Sequence, residues 1–152
     1  MEILTDIEHP LLVEIECAKY LLIAEIAPVI GTVLEVRIVG ASALGKPRNV
    51  IGIANALPIL PPPDADVYSF VFRNFVSYSV TEEMFSQGAD NQVSKGGRIR
   101  IYTKSCFLDF VSNTTWASDE YPGKLVHYQF NTLDHTVDVV TANQPEIVVT
   151  KS

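Results

Sequence analysis

The sequence predicts a β-rich α+β fold, in which an antiparallel sheet curls into a barrel or a sandwich and one short helix lies near residues 105–113. Several stretches alternate apolar and polar side chains with a period of two, the pattern of strands that bury one face. The chain shows no regular alternation of strands with helices, which argues against a parallel sheet built from βαβ units. We therefore expect antiparallel strands around one core.

Length and composition predict a single domain over residues 1–152. A chain of this length is close to the commonest domain size and can bury a core without disulfides or metals. Hydrophobic residues make up 47% of the chain and charged residues 19%. This composition excludes an intrinsically disordered protein.

The first half of the chain contains several candidate strands. Alternation predicts strands at residues 13–17 and 34–38. Residues 19–30 fit either a helix or a buried strand, and the breaks at Pro28 and Gly31 favour short strands. Residues 49–54 are expected to form one more short strand.

Residues 57–66, LPILPPPDAD, hold four of the nine prolines. They could be a ligand for a proline-binding domain, a linker between domains, or a stiff crossover inside one domain. Apolar side chains within the segment and predicted strands on both sides favour the crossover. Because proline donates no backbone hydrogen bond, we expect this segment at a sheet edge or outside the sheet.

The second half carries the strongest strand signal, at residues 67–80, where the tripeptide centred on Asn74 interrupts the alternation as a bulge or bend would. The polar segment 87–97 is the expected hairpin tip. Phe107, Phe110 and Val111 recur at helical spacing after Ser105, a suitable N-cap, which predicts the short helix. Further strands are predicted at residues 98–103, 125–131, 135–141 and 146–150.

Net charge argues against a nucleic-acid partner. The chain has 11 Lys and Arg against 18 Asp and Glu, a net charge of −7. Nucleic-acid binding requires clustered basic side chains. The densest basic stretch holds only Lys95, Arg98, Arg100 and Lys104.

A membrane span is not expected either. The most apolar run, residues 21–34, is shorter than the roughly 20 residues that cross a bilayer as a helix, and it contains Glu25 and Pro28. The acidic first residues do not resemble a secretory signal, so a cytoplasmic location is expected. Cys17 and Cys106 lie in apolar sequence surroundings and are expected to pack as small hydrophobic side chains.

The sequence contains no complete catalytic or metal-binding motif, so no catalytic residue, metal or cofactor is predicted. His127 and His135 lie on consecutive predicted strands and could face each other across a hairpin. A zinc site needs three or four converging ligands, which these two histidines do not supply. A pairing of the Cys106 thiol with His127 is possible in principle, but packing of Cys106 is the favoured interpretation.

Arg100, Trp116, Tyr121 and His127 are the candidate ligand-binding residues. Arg100 shares a predicted strand face with Arg98, where the two could receive an anion, although an ordinary exposed sheet face is the favoured interpretation. Trp116 and Tyr121 lie in an acidic, aromatic loop of the kind that a scaffold presents to ligands. For this loop, a solvated turn with Trp116 packed into the core is the favoured interpretation.

The segments FVSYSV, RIRIYTKSCFLDFVSNTTWA and KLVHYQFNTLDHTVDVV resemble a group of small uncharacterised bacterial proteins. The resemblance covers about residues 67–140. It implies a small single-domain protein, and it brings no functional residues with it.

Three hypotheses about function follow. The first is a non-enzymatic binding or interaction protein that forms a homo-oligomer, because unpaired strand edges need covering. The alternative is a small-ligand binder or enzyme that uses a barrel mouth or sheet face around His127, Trp116 and Tyr121. The second alternative, suggested by the net charge, is an acidic inhibitor or immunity-type partner of a basic protein.

Overall fold

The computed structural model describes residues 2–4, 6–44 and 46–151, and within them it is a β-rich protein with two α-helices. The helices are α1 (Pro10–Glu16) and α2 (Cys106–Thr114), and a single 3-10 turn, η1, spans Glu83–Phe85. The strands are β1 (Glu2–Ile3), β2 (Tyr20–Val29), β3 (Val33–Ala43), β4 (Arg48–Val50), β5 (Ile53–Ala56), β6 (Ile59–Leu60), β7 (Asp66–Arg73), β8 (Phe75–Glu82), β9 (Val93–Gly96), β10 (Ile99–Lys104), β11 (Val126–Asn131), β12 (His135–Thr141) and β13 (Glu146–Lys151).

The strands form two large sheets and one small hairpin. The first sheet has the order β1-β13-β7-β3-β2, with β6 paired to the end of β3, and the second has the order β8-β12-β11-β10-β9. Within the described part of the chain, strands β4 and β5 pair only with each other. All of these strand pairs are antiparallel, which confirms the β-rich antiparallel prediction. No sheet of the described residues closes into a barrel.

Aromatic rings from both sheets meet in the core. Phe70 and Phe72 of β7 and Phe130 of β11 are fully buried. The Phe130 ring lies edge-on to both, with centroid separations of 4.9 Å to Phe70 and 6.0 Å to Phe72. Tyr128, also on β11, contacts Phe72 at 5.5 Å, and burial raises the pKa of its hydroxyl to about 12. Edge-to-face contacts of this kind stabilise beyond the area that they bury.

The chain passes from the first sheet to the second at Asn74. The stretch 67–80, predicted as one strand with a bulge or bend, is in fact two strands, β7 and β8, which belong to different sheets. Asn74 has a φ of 56°, in the left-handed region that Asn enters more readily than most residues. Its side-chain oxygen accepts a hydrogen bond of 2.7 Å from the Thr32 hydroxyl. The interruption was thus placed correctly, but the change of sheet was not predicted.

A second connection joins the sheets at the turn between β11 and β12. The Leu133 amide donates to the Leu21 carbonyl at 2.8 Å, and the Ile23 amide donates to Asp134 Oδ1 at 3.2 Å. Asp134 Oδ1 also accepts a bond of 2.8 Å from the Thr132 hydroxyl. The turn therefore covers part of the outer edge of β2, where backbone donors would otherwise lack partners.

The predicted strand at residues 13–17 is wrong, since these residues lie in and just after α1. The His9 side chain accepts a hydrogen bond from the Leu11 amide and Pro10 occupies the first helical turn, both of which favour a helix start. Leu12 and Ile15 are buried at helical spacing, whereas Val13 is about half exposed. The short segment VEIEC fits both the strand period of two and the helical period of about 3.6 residues. The N-terminal cap favours the helix.

Two other predicted segments differ from the structure, at residues 49–54 and 87–97. Residues 49–54, expected as one strand, form most of the β4–β5 hairpin, whose turn contains Gly52 at a φ of 79°. Residues 19–30 contain the single strand β2, with Pro28 at the edge of the sheet. In the predicted hairpin tip at 87–97, residues 93–96 form β9 and pair with β10. The helix predicted near residues 105–113 is confirmed as α2, with Ser105 as its N-cap.

The proline segment runs along the outside of the first sheet before β7 begins. Its residues Ile59 and Leu60 pair with Ala43 and Ser42 of β3, and the Pro58 carbonyl accepts a bond of 2.9 Å from the Leu44 amide. The three consecutive prolines follow this short pairing and precede β7. They therefore lie where no ladder donor is required.

The aromatic contact predicts a large effect of truncating Phe130. Phe130→Ala should lower the free energy of unfolding by about 3–5 kcal/mol, because the cavity would remove the ring that both Phe70 and Phe72 contact. Urea denaturation followed by circular dichroism measures this change. The control is Phe110→Ala, which truncates a ring that is more than half exposed on α2, and it should cost much less. Equal losses for the two variants would contradict the proposed core.

The turn between β11 and β12 predicts a pH-dependent contribution from Asp134. Burial alone would raise the pKa of this carboxyl, but hydrogen bonds from Thr132 and the Ile23 amide, with nearby His135, hold its pKa below the ordinary value of 3.8. A carboxyl whose pKa is lower in the folded state stabilises the fold above the unfolded-state pKa. That contribution is lost as the pH falls through the folded-state pKa.

Asp134→Ala should therefore lower the free energy of unfolding by about 1 kcal/mol at neutral pH, and the difference from the unsubstituted protein should shrink in acid. Denaturation curves at neutral pH and below the ordinary carboxyl pKa measure both values. Asp90→Ala, at an exposed turn residue, is the matched control and should have little effect at either pH. A difference for Asp134→Ala that grew on acidification would refute the assignment.

Candidate functional site

The outer face of the second sheet carries a row of polar side chains. Arg100 of β10 pairs with Gln129 of β11, and Gln129 pairs with Asp138 of β12. Tyr102 and His127 form the adjacent pair on the same face. Because side chains alternate along a strand, these residues point away from the aromatic core, which takes up the intervening positions.

Helix α2 covers one part of this face and leaves the polar part open. Leu108 and Val111 of α2 pack on Val140 of β12 in a small apolar cluster. Beside the helix, residues 86–89 and Gln92 border a cavity of about 280 Å³ whose floor is the polar row. The cavity therefore lies between α2 and the segment that connects η1 to β9.

A continuous hydrogen-bonded chain begins at the N-cap of α2. Ser105 Oγ accepts a bond of 3.0 Å from the Leu108 amide and lies 2.7 Å from His127 Nδ1. His127 Nε2 lies 2.6 Å from Asp138 Oδ1. All three contacts are satisfied when the Ser105 hydroxyl donates to Nδ1 and the Nε2 hydrogen is donated to Asp138. The imidazole is also held between the rings of Tyr102, at 4.7 Å, and Phe107, at 5.4 Å.

The chain continues across the floor of the cavity through Gln129. Its amide nitrogen donates to Asp138 Oδ1 at 2.9 Å. Its amide oxygen accepts bonds from the Tyr102 hydroxyl at 3.0 Å and from the Asn131 amide nitrogen at 3.1 Å. The orientations of Gln129 and Asp138 are thus fixed by the protein, which leaves little side-chain freedom to lose when a ligand binds.

Arg100 supplies a positive charge at the cavity wall. Its Nε donates to the Gly97 carbonyl at 3.0 Å, which holds the side chain in place, and its two terminal nitrogens donate no hydrogen bond to any described residue. The neighbouring Arg98 differs, since its guanidinium donates to the carbonyls of Ala18 and Lys19 and so connects the start of β10 with the segment between α1 and β2. Of the two arginines, Arg100 is the one available to an anion.

Ser105, His127 and Asp138 have the residue types of a hydrolase triad, but Ser105 is not placed as a nucleophile. Its side chain is 1% exposed, and its oxygen already caps α2. A triad serine must present its oxygen to a substrate carbonyl. The hydrogen-bonded side chains of Ser105, His127 and Asp138 therefore connect the cavity floor to the N-terminal end of α2.

The structure brings together two of the four predicted ligand-binding residues and separates the other two. Arg100 and His127 line the cavity described above. Trp116 and Tyr121 line a different cavity, of about 280 Å³, beside Phe75 at the start of β8. The expectation that Trp116 packs into the core is wrong, because its ring is fully exposed. The loop folds on its own backbone bond, 2.8 Å from the Ser118 amide to the Tyr121 carbonyl, and leaves the ring outside.

The expectation for the two cysteines is wrong, and the two histidines on consecutive strands lie apart. His127 and His135, which could have faced each other across a hairpin, do not, since His127 pairs with Val140 and His135 pairs with Glu82. Cys17 and Cys106 are exposed free thiols rather than packed side chains, and Cys106 borders the same cavity as His127. In α2 the buried positions go to Leu108 and Val111, which leaves the Cys106 side chain outside.

Gln129, Asn131 and Asp138 belong to the site but were not predicted. The alternation of β11 does place Gln129 and Asn131 on the face of His127, so the period of two could have found them. Asp138 is a single carboxylate between Val137 and Val139 in an apolar strand, and this pattern could also have indicated a site residue.

No group of three or more His, Cys, Asp or Glu side chains within residues 2–4, 6–44 and 46–151 could hold a metal ion. In the same ranges, no helix is both long and apolar enough to cross a membrane. The chain matches no protein-family model, and searches of curated proteins and of solved structures find no significant match.

The buried position of Ser105 predicts a structural role that can be measured. Ser105→Ala should lower the free energy of unfolding by about 1–3 kcal/mol, because it removes the α2 cap and leaves the buried His127 Nδ1 without a donor. Chemical denaturation measures the loss. Ser112→Ala, on the exposed side of the same helix, is the control and should have little effect.

Proposed function

We propose that this protein binds a small organic anion that also carries a hydroxyl or amino group, in the cavity over the outer face of the second sheet. The observation that carries the proposal is the fixed row Arg100, Gln129 and Asp138, which places a cation and a carboxylate on three neighbouring strands. Such a row can recognise two different groups of one ligand.

The Arg100 guanidinium recognises the anionic group. Its two terminal nitrogens form a planar pair of donors on a side chain that lines the cavity, a geometry that matches a carboxylate. The bond from Nε to the Gly97 carbonyl restrains the side chain before the ligand arrives. This restraint lowers the entropy cost of binding.

Asp138 recognises the donor group of the ligand. Oδ1 of this carboxylate is already used by His127 and Gln129, whereas Oδ2 accepts no hydrogen bond from any described residue. Oδ2 can therefore accept a bond from a ligand hydroxyl or ammonium group. A cavity of about 280 Å³ is close to the lower end of small-molecule sites, which favours a ligand of amino-acid or hydroxy-acid size over a nucleotide.

Binding without catalysis is the activity that these groups support. The side chains on the cavity floor are held by hydrogen bonds to one another. Ser105, which is bonded to His127, is buried. This arrangement suits recognition of a fixed shape and charge. It supports the hypothesis of a non-enzymatic binding protein.

A thermal-shift panel tests the proposed function directly. The probes are L-aspartate, L-glutamate, L-malate and L-lactate, with L-lysine methyl ester as a cationic comparison. At least one anionic probe should raise the melting temperature, because a ligand that binds only the folded state stabilises it. Arg100→Ala should weaken that binding at least about tenfold, and Asp138→Asn should weaken it by a similar factor.

The matched control is Arg48→Ala, which removes an exposed arginine on the β4–β5 hairpin outside the cavity. It should leave binding of the active probe unchanged. The proposal fails if no anionic probe stabilises the protein, or if Arg100→Ala and Arg48→Ala bind equally well.

We also infer that the two large sheets are the layers of a β-sandwich. The contacts of Phe130 with Phe70 and Phe72, one sheet against the other, support this arrangement. Cross-linking mass spectrometry between lysines of the two sheets tests it, and links that require the sheets to lie side by side would contradict it.

A reducing compartment such as the cytoplasm is the proposed location. The support is that Cys17 and Cys106 are both free and exposed, a state that reducing compartments maintain. Fractionation of cells that express the tagged protein tests this, and recovery outside the cytoplasm would contradict it.

A further inference from the structure

We propose that β8 pairs with β8 of a second copy of this chain, so that two five-stranded sheets join into one continuous antiparallel sheet. The edge strand β8 has β12 on one side and no strand of the described residues on the other. Its outward backbone donors and acceptors need partners, and a second strand supplies them.

The other sheet edges are protected against such pairing. The outer edge of β2 is interrupted by Pro28 and by a register shift between Ile23 and Glu25, and the β11–β12 turn covers part of it. Strand β9 is only four residues long, fully exposed and carries Lys95. Strand β1 has only two residues, and the part of β13 beyond it is four residues long and ends in Lys151. Short length, proline, lysine and bulges are the devices by which proteins prevent edge pairing.

Strand β8 lacks these devices along most of its length. Its eight residues, FVSYSVTE, contain no proline and no lysine, and Glu82 is its only charged residue. Its pairing with β12 is regular from Ser77 to Glu82, with a shift only at the Phe75 end. The Phe75 amide donates to the Thr32 carbonyl at 3.4 Å, so the first residue is already occupied. Residues 77–82 form the regular edge that remains.

A second copy fits this edge because antiparallel pairing about a central axis brings no like charges opposite each other. In an antiparallel pair with its two-fold axis at Ser79, near the centre of the regular residues 77–82, Glu82 lies opposite the partner's Val76. The two Glu82 carboxylates are then at opposite ends of the pair. Val80 lies opposite the partner's Tyr78, so apolar and aromatic side chains meet near the centre.

Exposed apolar side chains at the two ends of β8 support the same arrangement. Trp116 and Tyr121, both largely exposed, flank the start of the strand beside Phe75. Met84 and Phe85, each 75% exposed, follow its end. Antiparallel pairing brings the start of one strand to the end of the other, so each aromatic pair would approach the partner's Met84 and Phe85. Apolar side chains exposed together in this way mark interaction surfaces.

Charge substitution at the two-fold axis tests the proposal. Sedimentation should give twice the monomer mass of 16.8 kDa for the unsubstituted chain. Ser79→Lys or Ser79→Asp, each alone, would place like charges opposite each other and should raise the dissociation constant at least about tenfold. An equimolar mixture of the two variants should recover the dimer mass, which also shows that both variants are folded.

Ser94→Lys is the matched control, since it makes the same change on the exposed edge strand β9, and it should leave the mass unchanged. In a Cys17→Ser, Cys106→Ser background, Ser79→Cys should form an intermolecular disulfide on mild oxidation, whereas Ser94→Cys should not. Directly opposite residues of an antiparallel pair are close enough for such a bond.

A monomer at all concentrations would overturn the proposal. So would a dimer that survives in both Ser79 charge variants, or one that cross-links through Ser94→Cys, because the interface would then lie elsewhere. These measurements need no ligand, so they succeed or fail independently of the proposed anion site.

Discussion

The packing of Phe130 on Phe70 and Phe72 fixes which face of each sheet is buried. Once Phe130 and Tyr128 point inwards on β11, the residues between and beside them must point outwards. Those residues are His127, Gln129 and Asn131, which all belong to the candidate site. A shift of one residue in the register of β11 would exchange the two sets, so the site depends on the same contact that holds the core.

Helix α2 connects the core to the site through one side chain. Ser105 caps the helix by accepting from the Leu108 amide, and the same oxygen lies against His127 Nδ1. The end of the helix and the orientation of the imidazole are therefore set together. His127 in turn fixes Asp138, so the carboxylate that faces the cavity is oriented by a chain of contacts that begins at a helix cap. Buried polar networks are stable only when every member finds a partner. This series of hydrogen bonds begins at the Leu108 amide and reaches Gln129, whose amide oxygen in turn accepts from Tyr102 and Asn131.

Some of this arrangement can be derived from the sequence. Alternation located most strands of the second half, and the serine before a helical pattern located α2, because both signals depend on neighbours within a few residues. The strand predicted at residues 13–17 failed because VEIEC is too short to separate a period of two from one of 3.6. There the cap at His9 and Pro10 decided the outcome.

Other features depend on contacts between distant residues, which local patterns do not contain. The change of sheet at Asn74 needs Thr32 as a partner, 42 positions away. Arg100 and Asp138 share a cavity because β10, β11 and β12 are neighbours in the sheet, an order that local patterns do not reveal. Trp116 and Tyr121 line another cavity because their loop lies beside the start of β8. Residue types in the sequence identified candidates, whereas only the topology showed which of them share a site.

The acidic charge of the chain bears on both proposals in different ways. Two copies with a net charge of −7 repel each other at long range, but salt at physiological concentration screens that repulsion beyond about 8 Å. The proposed contact along β8 would consist of neutral backbone groups and mostly uncharged side chains, so it would oppose little charge at short range. The proposed anion site needs a local positive charge, since a small anion must approach a protein whose net charge is negative. Arg100 meets this need locally, because its terminal nitrogens donate to no described residue and its side chain lines the cavity. In that cavity Asp138 is already bonded to His127 and Gln129.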